Sequence, residues 1–313
     1  RLIASSVPQF PTDKPEYRLD SYLGRMNITL FDKLLLSGSI RRDASSKFSK
    51  DNRVGYFPAG AAALKLKEIL FKNSNLLSEL KARFSIGVTG QQDGIDYYYF
   101  QPIYYTGNIS AQYQFGNVFV NTTRPSNYNK DLKWEQTTTT NIGLDFGFFK
   151  NRLSGSVEVY QKKTKDLLFT VPIPLGAGFG IDQLRNVGNV ENKGVEITVN
   201  TGIVRKPNVS WDLGFNVTYN DAKVKKLYAA GAGFIGTDVS GISGGTGNYI
   251  GKLAVDYAPF TYYVFKQVYD PATGNPIEGL YEDINRDGKV DNDDRYLYKH
   301  PNADFFYGLN TVL

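Results

Sequence analysis

Residues 210–219 read Ser-Trp-Asp-Leu-Gly-Phe-Asn-Val-Thr-Tyr. Small or polar side chains fill the even positions, and apolar ones fill the odd positions: Trp211, Leu213, Phe215, Val217 and Tyr219. A β-strand places these two sets on opposite faces, whereas an α-helix would place them on overlapping faces. The stretch therefore predicts a strand with one apolar face and one polar face.

The same alternation recurs along the chain and predicts nine strands in all. It is clear in Leu80–Val88 and Asn141–Phe148, and weaker in five further stretches: Tyr22–Leu30, Leu34–Ile40, Leu153–Tyr160, Val195–Asn200 and Phe305–Leu313. Within Ala61–Leu80, which is rich in Ala, Leu, Lys and Glu, we expect a strand to about Lys67 and then a short helical turn. Several strands reach the roughly 9–11 residues that a tilted strand needs to cross a bilayer.

The connections between these strands alternate between short and long. Phe31–Lys33, Phe149–Arg152 and Arg205–Asn208 are short, whereas three others are very long: Gln91–Lys133, Thr164–Lys193 and Asn220–Asp304. In an antiparallel up-and-down sheet, strict alternation places every long loop at one end and every short turn at the other. The pattern therefore favours an up-and-down barrel over a soluble sandwich with Greek-key crossings.

Composition excludes several classes of function. The 313 residues include no cysteine and one histidine, so a disulfide scaffold, a thiolate metal site and a histidine-based triad are excluded. The formal net charge is +5 and no Lys/Arg-rich block accompanies it, so we expect no nucleic-acid partner. Gly241–Gly251 lacks the Gly-Lys-Ser/Thr ending of a phosphate loop, and no carboxylate pair is spaced for acid–base chemistry. We therefore expect no enzyme and no catalytic residue.

Several local sequences occur in an order that is typical of one protein family. They are Leu23–Asn27, Arg42–Phe48, Tyr56–Ala59, Asp131–Glu135 followed by Asn141–Phe146, Asn192–Glu196 and Asp283–Lys289. In identity and order, these sequences resemble the C-terminal barrel region of the SusC/RagA-like TonB-dependent outer-membrane transporters of Bacteroidetes. The resemblance runs from about Arg18 to Leu313.

The resemblance implies an all-β fold, an antiparallel transmembrane β-barrel of about 22 strands, of which this chain would supply under half. Residues 1–313 would form a partial C-terminal barrel region with short periplasmic turns and long extracellular loops. The chain begins at Arg1 without an initiator methionine, and we expect the plug domain and the signal peptide to lie outside it.

The resemblance also implies a function and a set of partners. The whole protein would import a large nutrient through the bacterial outer membrane, an oligosaccharide in the leading interpretation and a peptide otherwise. A SusD-like surface lipoprotein would cap the extracellular loops, and a TonB complex would supply energy through the plug. The apolar strand faces would contact outer-membrane lipid. Alternation alone does not decide which face is buried, so the alternative is a soluble β-sandwich that acts as a glycan-binding module.

An aromatic cluster in the first long loop is the candidate ligand-binding site: Tyr97, Tyr98, Tyr99, Phe100, Tyr104 and Tyr105. Aromatic rings on an external loop can stack on sugar rings, and tyrosine hydroxyls add hydrogen bonds. Exposed tyrosines also mark protein interfaces, so the alternative is that these rings pack the loop against its neighbours or a partner protein.

Asp283–Asp294 matches a twelve-residue calcium loop at nearly every position. Oxygen-bearing side chains stand at positions 1, 3, 5, 9 and 12, and Gly288 stands at position 6, where such loops turn sharply. The candidate ligands of a structural calcium, counting the backbone carbonyl of the seventh residue, are Asp283, Asn285, Asp287, Lys289, Asp291 and Asp294. Asp294 replaces the usual glutamate, and no helix pair flanks the loop. The alternative is a solvated acidic turn whose side chains bond the local backbone.

Overall fold

The computed structural model describes residues 15–107, 112–173, 182–228, 234–243 and 249–313, and almost every regular element in them is a β-strand. In chain order, the elements are β1 (Leu19–Leu30), β2 (Leu34–Ser45), β3 (Val54–Lys65), α1 (Lys67–Leu70), β4 (Leu77–Gln91), β5 (Tyr104–Thr106), β6 (Gln112–Phe115), β7 (Val118–Asn121), β8 (Thr123–Pro125), β9 (Glu135–Phe148), β10 (Leu153–Pro172), β11 (Asp182–Lys206), β12 (Val209–Lys226), β13 (Thr237–Gly241), β14 (Tyr249–Leu253), β15 (Thr261–Phe265), β16 (Gln267–Tyr269), β17 (Pro276–Tyr281), a 3₁₀ turn (Asn292–Asp294), β18 (Arg295–Leu297) and β19 (Phe305–Val312). Among the described residues, no helix is both long and apolar enough to cross a membrane.

Nine of the strands form one antiparallel sheet in the order β1-β2-β3-β4-β9-β10-β11-β12-β19. Each strand pairs with the sheet strands that precede and follow it in sequence, so the sheet has an up-and-down topology. Strands β1 and β19 are its two edges. The nine strands expected from the alternation are therefore confirmed.

The register separates an apolar face from a polar face. Ile142 on β9 lies beside Phe84 on β4 and Val159 on β10. On the opposite face, Asn141 lies beside Ser85. Side chains alternate between the two faces of a strand. Because the strands pair in matched register, apolar side chains form continuous rows on one face of the sheet and polar side chains form rows on the other.

Large side chains on the apolar face are exposed. Met26 is 64% exposed, Ile142 is 60% exposed and Leu309 is 70% exposed. An apolar surface that extends across nine strands is unfavourable in water and is what the lipid-facing side of a transmembrane barrel presents.

The tight turns lie at one end of the sheet, as expected. The turn between β1 and β2 places Phe31 and Asp32 at positive φ, and the turn between β9 and β10 does the same with Phe149, Lys150 and Asn151. Left-handed backbone of this kind allows the chain to reverse within a few residues and to keep the twist of the two strands. The longest connections, β4 to β9 and β12 to β19, lie at the opposite end, which is here called the loop end.

The long loop predicted over Thr164–Lys193 is wrong. Strand β10 continues to Pro172, β11 begins at Asp182, and the two strands pair as far as these residues. Two register shifts lie between Thr164 and Leu168, and such bulges break the alternation of side chains although the pairing continues. Strand β12 likewise continues to Lys226, past the residue at which the last long loop was expected to begin.

The stretch Ala61–Leu80, whose composition favours a helix, folds as predicted. Strand β3 ends at Lys65, and the single helical turn α1 follows at Lys67–Leu70 before β4 begins. Helical propensity is therefore overruled in Ala61–Lys65, where pairing with both β2 and β4 satisfies the backbone.

The connections at the loop end carry small sheets of their own. Between β4 and β9, strand β5 pairs with β8 and β6 pairs with β7. Between β12 and β19, strands β13, β14, β15 and β18 form a four-stranded sheet, and β16 pairs with β17. Val224, near the end of β12, is joined to the β12–β19 connection by backbone hydrogen bonds with Asp256 and Tyr257.

Candidate functional site

The polar face carries ion pairs that cross three neighbouring strands. Arg83 Nη2 on β4 lies 2.7 Å from Asp145 Oδ1 on β9 and 2.7 Å from Glu158 Oε1 on β10. Lys81 Nζ lies 2.8 Å from Asp145 Oδ2, and Asn141 Nδ2 donates to Glu158 Oε2 over 2.9 Å. Each charge in this group has a partner, so the group forms a rigid polar wall and not a set of free ionic sites.

The polar face continues across β10, β11 and β12. The Tyr160 hydroxyl donates to Asn220 Oδ1 over 2.8 Å and passes over Gly194, which stands between them in the register. A Cβ at position 194 would collide with the Tyr160 phenol and with the Tyr219 carbonyl. Glycine at this position therefore lets the tyrosine lie flat on the sheet, and the face remains a hydrogen-bonding surface of the kind that lines a barrel lumen.

A compact cluster, here called the loop core, lies at the loop end and consists of Phe48, Phe57, Ile95, Leu132 and Trp134. The ring centroids of Phe48 and Trp134 are 5.0 Å apart, and those of Phe57 and Trp134 are 5.4 Å apart in an edge-on arrangement. Trp134 Nε1 donates to the Arg53 carbonyl over 3.1 Å. The loop core thus joins the β2–β3 connection, strand β3 and both ends of the β4–β9 connection into one packed unit.

Tyr99 and Phe100, two members of the predicted ligand site, lie partly buried at the base of the loop. The backbone N–H of Leu184 donates to the Tyr99 hydroxyl over 2.9 Å, and the Tyr99 ring packs against the loop core. Burial raises the pKa of the Tyr99 hydroxyl, and the hydrogen bond that it accepts from Leu184 partly opposes this shift. Tyr99 therefore anchors the loop to β11.

Tyr98 contacts the segment that precedes β1, and Tyr97 is linked to that segment through Lys47 of the β2–β3 connection. Lys47 Nζ lies 5.6 Å from the ring centroid of Tyr97 and 5.6 Å from that of Tyr17. The backbone N–H of Glu16 donates to the Tyr98 hydroxyl over 3.3 Å. Tyr97 remains 43% exposed, whereas Tyr98 is partly buried.

Tyr104 and Tyr105 are the most exposed members of the predicted site, at 66% and 55%. They lie on β5, which β8 fixes by antiparallel pairing. The neighbouring hairpin β6–β7, which the sequence reasoning missed, exposes further aromatic rings: Tyr113, Phe115 and Phe119. The sequence contains a pattern for it, because Gly116-Asn117 lies between the alternating Gln112–Phe115 and the apolar Val118–Val120, which is typical of a two-residue hairpin turn.

The predicted calcium loop is held by side-chain to backbone hydrogen bonds. Asp283 Oδ1 accepts from the N–H groups of Arg286 (2.6 Å) and Asp287 (3.2 Å), and Asp283 Oδ2 accepts from Gly288 (2.8 Å). Gly288 has a φ of +87°, the sharp turn expected at position 6. Each carboxylate oxygen that accepts one N–H retains a second lone pair.

Asp294 closes the loop from its other end. Its buried carboxylate accepts the N–H groups of Asp291 (2.8 Å), Ile284 (2.8 Å) and Asn285 (3.2 Å). These hydrogen bonds, chiefly the one from Asp291, lower the pKa of Asp294. In the parts of the chain that the structure describes, no three His, Cys, Asp or Glu side chains converge on one point to hold an ion. The metal site therefore stays a prediction.

The class of protein follows from the sheet and its two faces. An up-and-down sheet with an exposed apolar face, an ion-paired polar face and its longest loops at one end is a segment of a transmembrane β-barrel wall. The sequence matches the family described as TonB dependent receptor-like, beta-barrel over residues 2–306. The chain belongs to this family, and it is part of an outer-membrane protein.

Known relatives agree with this assignment. The chain is 41% identical, over 94% of its length, to the TonB-dependent receptor SusC of Bacteroides thetaiotaomicron, and 32% identical, over 95% of its length, to the TonB-dependent receptor P3 of Formosa agariphila. A solved structure of the RagAB peptide transporter matches 94% of this chain and 31% of that chain, with 25% identity and a TM-score of 0.74. The chain spans about 30% of the length of these two receptors.

These comparisons decide several predictions. The resemblance to SusC/RagA-like proteins, the transmembrane barrel fold and the outer-membrane location are confirmed. A soluble β-sandwich that acts as a glycan-binding module is excluded, because the matched family is a membrane barrel. The relatives are receptors and transporters, which confirms the expectation that this chain is not an enzyme.

Proposed function

We propose that the protein to which this chain belongs imports a large solute through the outer membrane, with energy from a TonB complex and with a SusD-like surface lipoprotein as its partner. The observation that carries the proposal is a barrel wall with an apolar outer face and an ion-paired inner face in a chain 41% identical to SusC. The assignment of residues 1–313 to the C-terminal part of the barrel stays a prediction.

An oligosaccharide is the solute we favour. Tyr104 and Tyr105 present exposed rings at the loop end, and flat rings with a hydroxyl suit the apolar faces and hydroxyl groups of sugars. A peptide is the second candidate, because the matched RagAB structure is that of a peptide transporter.

Growth on defined nutrients separates these two candidates. We expect a strain that lacks the gene for the whole protein to lose growth on one class of oligosaccharide and to keep growth on peptides. Loss on peptides alone would favour the second candidate. Normal growth on every oligosaccharide and peptide of the panel, together with normal uptake of each in labelled form, would contradict import.

The double substitution Tyr104→Ala/Tyr105→Ala tests the aromatic contact in the whole transporter. Each lost ring contact is worth roughly 1 kcal/mol, so the affinity for the oligosaccharide should fall roughly ten- to thirtyfold. The measurement is the concentration dependence of labelled oligosaccharide uptake, with the amount of transporter in the membrane determined alongside.

Two variants serve as controls for this substitution. Tyr104→Phe/Tyr105→Phe keeps the rings and should retain most of the affinity, whereas Tyr249→Ala removes an exposed ring on the separate strand β14 and should have no effect. Unchanged uptake in the double alanine variant would remove these rings from the binding site. Loss of uptake together with loss of the lipoprotein complex would assign them to protein packing.

We also propose that Asp283–Asp294 binds a structural calcium ion that stiffens an extracellular loop. The spacing of the oxygen ligands, the turn at Gly288 and the closure of the loop by buried Asp294 support this. Calcium would be preferred over magnesium because a flexible loop of oxygen ligands suits the larger ion. The carboxylates would have to move closer together around the ion than the hydrogen-bonded loop places them.

Limited proteolysis of the whole protein tests the calcium proposal. Calcium should protect residues 283–294 from cleavage and EDTA should remove the protection. Asp287→Asn should weaken the calcium effect, because an amide can still accept the 2.9 Å hydrogen bond from the Lys289 N–H but lacks the charge. Asp270→Asn, in the turn between β16 and β17, is the matched control. Equal cleavage of the wild-type loop in calcium and in EDTA would contradict the proposal.

A further inference from the structure

On the outward face of strands β10, β11 and β12, the apolar side chains stop at the same height on all three strands. The last apolar row contains the register partners Val159, Val195 and Tyr219. The next row toward the loop end, on the same face, contains Gln161, Lys193 and Asp221. The row after that contains Lys163, Glu191 and Lys223. The change from apolar to polar or charged side chains is therefore abrupt and runs across all three strands.

Glu191 contacts two lysines of these rows, Lys163 and Lys193. Its carboxylate lies 2.7 Å from Lys193 Nζ and 3.9 Å from Lys163 Nζ, and it accepts a hydrogen bond from Gln161 Nε2 over 2.9 Å. The Glu191 side chain is 17% exposed, whereas those of Lys163 and Lys193 are 51% and 57% exposed. The carboxylate thus lies beneath two ammonium groups and orients them, and the ammonium groups themselves face outward.

Lys223 adds a third outward ammonium group. Its side chain is 46% exposed, and its ammonium group lies 3.4 Å from the Asp221 carboxylate on the same strand. An exposed pair of this kind is weak, so the ammonium group remains available to another anion. Lys163, Lys193 and Lys223 are here called the lysine cluster.

The position of the lysine cluster indicates what it meets. The apolar band of a transmembrane barrel ends where the hydrocarbon of the bilayer ends, and lipid head groups begin at that height. The cluster lies directly beyond this band, on the lipid-facing side, toward the loop end and therefore toward the outer leaflet. A compact ammonium group binds phosphate well, and basic side chains beside a membrane attract anionic head groups.

We propose that the lysine cluster binds the phosphate groups of outer-leaflet lipid and thereby holds a layer of anionic lipid against strands β10–β12. The inference rests on the register of the sheet and on the outer-membrane location, and it is independent of the imported solute.

The test uses the whole transporter in detergent micelles, titrated with lipid A that carries phosphate and, separately, with the same lipid A after removal of its phosphate. Binding is measured by native mass spectrometry. The wild-type protein should bind the phosphorylated form more tightly. The variant Lys163→Gln/Lys193→Gln/Lys223→Gln should lose at least about tenfold of this affinity, because each basic residue near an anionic lipid surface contributes a factor of several. Its binding of the dephosphorylated form should not change.

Lys162→Gln is the matched control. Lys162 is the chain neighbour of Lys163 but points to the polar face, where its ammonium group lies 5.0 Å from the Tyr160 ring centroid. The Lys162→Gln variant should bind the phosphorylated and the dephosphorylated lipid with the affinities of the wild-type protein. Equal affinity of the wild-type protein for the two lipids, or equal affinity of the triple variant and Lys162→Gln for the phosphorylated lipid, would overturn the proposal. If the triple variant does not assemble, Lys193→Gln alone should still show a severalfold loss, and no loss would overturn the proposal.

Discussion

Replacement of Trp134 by alanine in the whole barrel should lower its free energy of unfolding by about 3–5 kcal/mol, which is typical for removal of a buried aromatic side chain. Trp134 is 5% exposed and contacts both Phe48 and Phe57. Its loss would leave a cavity in the loop core and would remove the partner of the Arg53 carbonyl. The loop core joins three segments of chain, so the β4–β9 connection should become sensitive to protease.

The measurement is unfolding by denaturant in micelles, followed by limited proteolysis of the loop. Trp211→Ala is the control, because Trp211 is 38% exposed and its Nε1 donates to Thr311 Oγ1 at the surface of the sheet. Trp211→Ala should lower the free energy of unfolding much less than Trp134→Ala, and it should leave the β4–β9 connection resistant to protease. If both tryptophan substitutions cost the same and neither changes the loop, the loop core does not hold the connection in place.

Gly194→Val should prevent assembly of most of the protein into a folded barrel. A valine Cβ at this position would meet the Tyr160 phenol and, more seriously, the Tyr219 carbonyl, which belongs to the backbone of β12 and cannot move away without breaking the sheet. Overpacking of a well-packed site costs about 1–3 kcal/mol, and a collision with paired backbone belongs at the upper end of this range or above it. The fraction of folded protein is read from its altered electrophoretic mobility before and after heating.

Gly38→Val provides the comparison, because Gly38 also lies inside a strand of the same sheet but has no atom within 4 Å of its Cβ position. It should assemble nearly as the wild-type protein does. Combining Gly194→Val with Tyr160→Ala would remove one of the two collisions, and only partial recovery is expected because the Tyr219 carbonyl remains. Normal assembly of Gly194→Val would show that the close approach of Tyr160 to the sheet is not required.

The alternation of side chains predicted the sheet where the two faces of a strand meet different surroundings. In Asn141–Phe148, one face meets lipid and the other meets the lumen, so apolar and polar residues must alternate. Beyond Thr164, both faces of β10 lie past the apolar band, and nothing requires alternation there. The bulges between Thr164 and Leu168 disturb the pattern further, which is why a paired strand was mistaken for a loop.

The candidate ligand site was harder to predict than the sheet. Contacts with residues far along the chain decide which of its tyrosines are buried and which are exposed. Tyr99 and Tyr104 belong to the same tyrosine-rich stretch, yet the first is bonded to Leu184, 85 residues away, and the second is 66% exposed. No local pattern distinguishes these two tyrosines. The loop of Asp283–Asp294 behaves in the opposite way, because its hydrogen bonds span short distances along the chain and follow from the positions of Asp, Asn and Gly.

Strands β10 and β11 extend past the lysine cluster, so on this side the wall of the barrel reaches beyond the apolar band. At ~3.3 Å per residue, Lys165–Pro172 adds roughly 25 Å of paired strand along its own direction. If the protein imports a solute as proposed, this wall would oppose a sideways approach on this side, and the solute would enter from above the loop end.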